Sequence, residues 1–133
     1  MKSNLLTATF LLSIFTLSQP STVLAADCAN AMTQADMNKC AAQELAVEDK
    51  KINATYKALR SRFEPEQQEQ LKKVQLAWIK YKELACKFEA GGAEGGSIYP
   101  MVLANCLTQK TRQRNAELAA IGHCEEGDVS CRR

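Results

Sequence analysis

Residues 65–92 read PEQQEQLKKVQLAWIKYKELACKFEAGG. Pro65 suits the first turn of a helix, where its missing N–H is not needed, and Glu66 and Glu69 favour the positive end of that helix. Leu71, Val74, Trp78, Tyr81, Ala85 and Phe88 recur at steps of 3, 4, 3, 4 and 3. Such steps keep one face of an α-helix apolar. The stretch predicts a helix from about Pro65 to Glu89, stopped by Gly91 and Gly92.

Working outward, Glu64-Pro65 closes a preceding helix, because the residue before proline is driven out of the helical region. That helix starts near Thr33, a candidate N-cap, with Asp36 at the third helical position. Ala42, Leu45, Ile52, Tyr56, Leu59 and Phe63 form its apolar stripe, and Asp49 falls on the same stripe. Downstream, Gly91 to Ser97 cannot continue a helix and reads as a loop. A third helix starts between Ser97 and Pro100 and runs to about Ile121, with Gly122 as its stop. Leu103, Leu107, Leu118 and Ile121 are its clearest apolar positions. Its middle, Thr108 to Asn115, is polar and either lies exposed or supplies polar groups to a shared site. Strand signals are nearly absent. The expected fold is all-α: an antiparallel three-helix bundle with near-parallel packing and disulfide staples.

The chain opens like an export leader, with Lys2, an apolar stretch from Leu5 to Leu17, a break at Pro20-Ser21, and Val23-Leu24-Ala25 as a cleavage site. The 13 apolar-rich residues fall short of the roughly 20 that span a bilayer. The expectation is a signal peptide at 1–25 and one domain at 26–133, with a cysteine-containing tail from about 122. Asp27, not a small residue, precedes Cys28, so no lipid anchor is expected. The mature protein is then periplasmic or secreted, with no stable membrane anchor. Loss of Lys2 leaves 16 basic and 15 acidic residues, a net charge of +1. Nucleic acid is therefore not the expected partner, since phosphate binding needs concentrated positive charge.

Six cysteines follow the leader: Cys28, Cys40, Cys86, Cys106, Cys124 and Cys131. An even number in a small exported chain points to disulfides. An antiparallel bundle brings Cys40, Cys86 and Cys106 to one end, with Cys28 close by. Those four allow three pairings. Cys28–Cys40 and Cys86–Cys106 are favoured because each closes the nearest available loop, and Cys124–Cys131 would close the tail. Metal and redox roles fit less well: there is no Cys-x-x-Cys, and His123 is the only histidine. No metal or cofactor is expected. No serine has a histidine partner placed for nucleophilic attack, and no carboxylate pair stands out for acid–base work. An enzyme is not expected.

Several blocks together resemble a known family. Cys28 and Cys40 flank Thr33 to Asn38; Asp49 to Tyr56 is similar to D-x-x-L-N-x-x-Y, with Ile52 at the leucine position. Leu71 to Cys86 reads L-x-x-x-Q-x-x-W-I-x-Y-x-x-x-x-C, the most specific block. Gly95-Gly96-Ser97 follows, then Cys106, Thr111 and Arg114 in the order C-x-x-x-x-T-x-x-R. This resembles the LprI-type lysozyme-inhibitor family over residues 28 to 121. The resemblance implies a helical, disulfide-bonded domain of the bacterial cell envelope, with a lysozyme or another envelope protein as partner. It brings no catalytic residues with it. The Cys124–Cys131 tail lies outside the pattern, and the missing lipid acceptor departs from lipoprotein members.

Three groups of residues are candidates for function. Tyr56, Trp78 and Tyr81 read as core, with a binding platform as the rarer use of Trp78 and Tyr81. Asp49, Asn53, Gln75, Thr111 and Arg114 read as a buried polar network with an Asp49–Arg114 pair that fixes helix register, in preference to a ligand pocket. Gly92, Glu94, Gly95, Gly96 and Ser97 form the candidate binding loop, in which Glu94 could meet a basic lysozyme cleft; a flexible connector is the simpler reading. The competing function is a structural or small-ligand-binding envelope protein with no lysozyme target.

Overall fold

The computed structural model describes residues 28–123, 125 and 127–129. The expected signal peptide and the Cys124–Cys131 link lie outside these residues. A 3-10 turn at Cys28–Asn30 leads into α1 (Gln34–Arg60); α2 (Pro65–Ala90) and α3 (Tyr99–Gly122) follow. Among the described residues there is no strand. The described elements are all helical, in line with a sequence rich in helix formers.

Local chemistry sets the helix ends. The Thr33 hydroxyl accepts from the Asp36 backbone N–H at 3.1 Å, satisfying one of the free donors of the first turn. Glu64 and Gln67 make a reciprocal capping box at the start of α2, ahead of Pro65. α1 stops at Arg60, four residues before the expected limit at Glu64. The chain needs those residues to reverse, and Ser61, Arg62 and Phe63 close turns onto Lys57, Leu59 and Arg60 carbonyls. Gly91–Ala93 also departs from expectation by continuing α2 as a 3-10 turn. Glycine is conformationally required later, at Gly95, where φ is 78°.

Cross-helix pairs give the topology. Gln34 meets Met101 and Arg62 meets the Gly122 carbonyl, so α1 and α3 run parallel. Arg60 meets Glu69 and Lys82 meets Asp49, so α2 runs antiparallel to α1. α3 is the central helix, packed closely along α1 and more sparsely along α2. Ile52, Leu59 and Leu118 form the core, with Tyr56, Phe63, Leu71 and Trp78 partly buried against it. This core sits towards the α1–α2 turn. At the opposite end Ala41, Cys86, Ala90 and Ala104 are buried, and small side chains let the helices approach. There Cys28 bonds Cys40 and Cys86 bonds Cys106, with Cα separations of 5.5 and 5.6 Å.

Two apolar faces sit differently from their sequence reading. On α1 the buried residue is Ala41, while Ala42 is exposed. On α2 the predicted seam is split: Leu71 and Trp78 turn inward, but Val74, Tyr81 and Phe88 are exposed. Tyr81 is thus not a core residue. Cys86 must face Cys106, and positions on its side of the helix are 71, 75, 78, 82 and 90. That rotation buries Gln75 and most of Lys82 and turns the 74–81–88 line outward. In α3 one side of the polar middle faces inward, with Thr108 and Thr111 buried, because this helix has a neighbour on two sides, while Gln109, Arg112 and Gln113 are exposed. Ile121, at the edge, stays partly exposed.

Candidate functional site

The interior polar residues form two clusters around α3. Lys82 Nζ lies 3.4 Å from Asp49 Oδ1 and donates to Thr111 Oγ1 at 3.2 Å. The same ammonium stands 5.0 Å from the centre of the Trp78 ring, close enough for a cation–π contact. Arg114 Nε donates to Gln75 Oε1 at 3.3 Å, and its Nη1 pairs with Glu117 at 2.9 Å. Four of the five expected network residues, Asp49, Gln75, Thr111 and Arg114, therefore lie in these clusters. The expected Asp49–Arg114 pair is absent: Asp49 pairs with Lys82, and Arg114 turns towards α2 and its own helix. Asn53 is exposed on α1 and joins neither cluster. Lys82 is the hub that sequence reasoning missed. Its sequence signal is its position four residues before Cys86, on the face that the disulfide turns inward.

A second missed group ties α1 to α3. Glu48 is buried and pairs with Lys51 at 2.9 Å and Arg112 at 3.3 Å, and Arg112 also pairs with Glu44. The hydrogen bond from Lys51, helped by that from Arg112, holds the Glu48 carboxyl below the usual carboxylate range against the opposing effect of burial. Both cations keep the acid charged, so it acts as a clamp and not as a proton donor.

Trp78 and Tyr81 line a shallow groove between α2 and α3 with Lys110, Gln113, Arg114 and Glu117. Its volume is about 130 Å³. Lys110 pairs with Glu89 at 2.9 Å, which raises its pKa, and lies 5.7 Å from the Tyr81 ring centre. Arg114 also borders a neighbouring cavity of about 260 Å³ with Phe63, Leu71, Val74 and Ile121. An aromatic wall beside amides and paired charges can hold a small ring by stacking and hydrogen bonds.

The Gly92–Ser97 loop is a run of hydrogen-bonded turns. Glu94 N–H donates to Gly91 O, Gly96 N–H to Ala93 O, and Tyr99 N–H to Gly96 O, at 3.0–3.1 Å. Asn38 of α1 donates to the Ser97 carbonyl at 2.9 Å, and Cys86–Cys106 closes the base. Space at Gly96 is tight, since an added Cβ would lie 3.1 Å from the Ala93 carbonyl oxygen, which would have to give by a few tenths of an ångström. Gly92 has open space around it. Glu94 is exposed at the tip and has no ion-pair partner among the described residues. The loop therefore presents one free carboxylate on a pinned backbone.

Among the described residues no group of three His, Cys, Asp or Glu is placed to hold a metal ion. No described helix is long and apolar enough to cross a membrane.

Comparison with known proteins places these features in a family. Residues 25–118 match the family described as lysozyme inhibitor LprI. An uncharacterized protein of Rhizobium meliloti (strain 1021) is 35% identical over 105 residues, covering 69% of this chain and 76% of the relative. No solved structure gives a significant match. The match to the family spans α1, α2, α3 as far as Leu118, the disulfides Cys28–Cys40 and Cys86–Cys106 and the loop between α2 and α3, and the chain belongs to the LprI lysozyme-inhibitor family.

Proposed function

We propose that this is an exported protein that binds a lysozyme and blocks it by protein–protein contact. The observation that carries the reading is the family match across residues 25–118. Two disulfides fit an oxidising compartment outside the cytoplasm, in keeping with export of the chain by its first 25 residues. The Gly92–Ser97 loop is the proposed contact, with Glu94 reaching a basic residue of the lysozyme cleft. A loop already held by Asn38 and Cys86–Cys106 loses little freedom on binding, which favours affinity. The mature charge near zero gives little long-range steering, so affinity rests on such local contacts.

A turbidity assay tests this with purified, disulfide-bonded protein and lysozymes of several classes. Stoichiometric loss of lytic activity is expected. Full activity of every lysozyme at an excess of the protein would refute the reading. Glu94→Lys should weaken inhibition by an order of magnitude or more, since it sets like charges against each other. An unchanged inhibition constant would remove the loop from the contact. The Trp78–Tyr81 groove supports a second reading, small-ligand binding without a lysozyme target. That reading predicts quenching or shift of Trp78 fluorescence by a cell-wall fragment, with no effect on lysis.

A further inference from the structure

The outer face of α2 is unlike any other surface of the bundle. Val74, Tyr81, Leu84 and Phe88 are 53, 59, 55 and 88% exposed, and Ala77 between them is exposed as well. At about 100° per residue these five side chains fall within about 80° of arc, along about 21 Å of helix. Lys73, Lys80 and Lys87 recur every seven residues immediately beside them, and all three are exposed. Past the lysine row the apolar surface resumes at Leu76, which is 57% exposed. Between residues 72 and 88 Glu83 is the only acid. None of Lys73, Lys80 and Lys87 enters a salt bridge among the described residues, whereas Lys82 on the inner face does.

We propose that this face of α2 adsorbs reversibly to an anionic phospholipid surface, with Phe88, Leu84, Tyr81 and Val74 entering the headgroup–acyl boundary and the lysine row on the phosphates. Apolar area together with cations, laid along one helix, is what binds a helix flat in that interface. The arrangement favours a plane over a partner helix. A helix takes a narrow seam bounded by charges, whereas here the apolar surface continues past the lysine row at Leu76 and is wider than one seam. The lysine stems can lie along that surface while the ammonium groups reach the phosphates. In an antiparallel pair with a second copy, the lysine rows would face each other. α2 is also the helix best placed for this, since its packing is mainly with α3 on one side. The loop at Gly92–Ser97 is not part of this face, so lipid binding and lysozyme binding can fail separately.

Flotation of the purified, disulfide-bonded protein with vesicles tests the assignment. It should float with mixed phosphatidylglycerol and phosphatidylcholine vesicles and stay at the bottom with phosphatidylcholine alone. Replacing Lys73, Lys80 and Lys87 together by Gln should lower binding on the order of a hundredfold. Leu84→Glu with Phe88→Glu should abolish it, with helical circular dichroism unchanged because both residues are exposed. Absence of flotation, equal binding to neutral vesicles, or binding unaffected by either set of replacements overturns the proposal. A dimer in solution that Leu84→Glu with Phe88→Glu returns to monomer overturns it too, and assigns the face to a second copy.

Discussion

The α1–α3 pair and α2 are built on opposite plans. α1 and α3 close over Ile52, Leu59 and Leu118 and are clamped by Arg112 on Glu44 and Glu48. α2 contributes partly buried Leu71 and Trp78, three polar contacts from Lys82 and Gln75, ion pairs from Glu69 and Glu89 at its ends, and one covalent bond at its far end. Its outward apolar residues lie outside the core, with Tyr81 reaching Lys110 only at the groove edge. The first region holds the buried centre of the core, and the second is a helix held in place by one disulfide and a few contacts while its outer face stays open. That division gives the molecule a firm frame and a separate surface for contact.

The largest test of this contrast is Leu118→Ala, at the centre of the first region. It should cost about 2–5 kcal/mol in denaturant unfolding, through lost burial and the cavity left behind. A cost below about 1 kcal/mol would mean the core lies elsewhere. Next, Cys86→Ala with Cys106→Ala removes the staple of α2. The loss should be about 3 kcal/mol in a chain-entropy account. Amide exchange should then quicken in α2 well before α1 and α3; uniform quickening would contradict the contrast.

A smaller, pH-dependent effect belongs to the clamp. Glu48 binds its proton less tightly folded than unfolded, so its contribution is present above about pH 4.5, the ordinary glutamate value, and is lost as pH falls through its lower folded pKa. Glu48→Gln should flatten the fall in unfolding midpoint below that pH. An acid limb of the same slope would show that other carboxylates dominate. The smallest effect is expected on the open face: Leu84→Ala should change stability by no more than about 0.5 kcal/mol. A loss like that of Leu118→Ala would show that this face is covered in solution.

Much of this was legible along the chain, and the failures share one cause. Pro65, Thr33 and the 91–97 glycines mark where helices begin and end, because those signals act within a turn of the residue itself. The end of α1 was misplaced because the reversal into Pro65 consumes residues that are helical by composition. Period alone marked 74, 78, 81 and 88 as a single seam, although only Trp78 of these turns inward. A 3–4 spacing shows that an apolar face exists and leaves open whether the protein's own core covers it. Asp49, Gln75, Thr111 and Arg114 stood out as polar residues on packed faces. Their partners could not be read, because Lys82 looks like any solvated lysine until the rotation of α2 is known.

By itself the sequence determined the helical class, the number of helices, their order and the family. These follow from local propensity, from caps and breakers, and from residue order, all properties of short stretches. Only the tertiary structure decided that α3 is the central helix, that Lys82 and not Arg114 meets Asp49, and that Tyr81 and Phe88 face outward. Those outcomes depend on the angle at which each helix is turned about its own axis. That angle is set by contacts between residues far apart in the chain, here above all by Cys86 with Cys106 and Arg112 with Glu48.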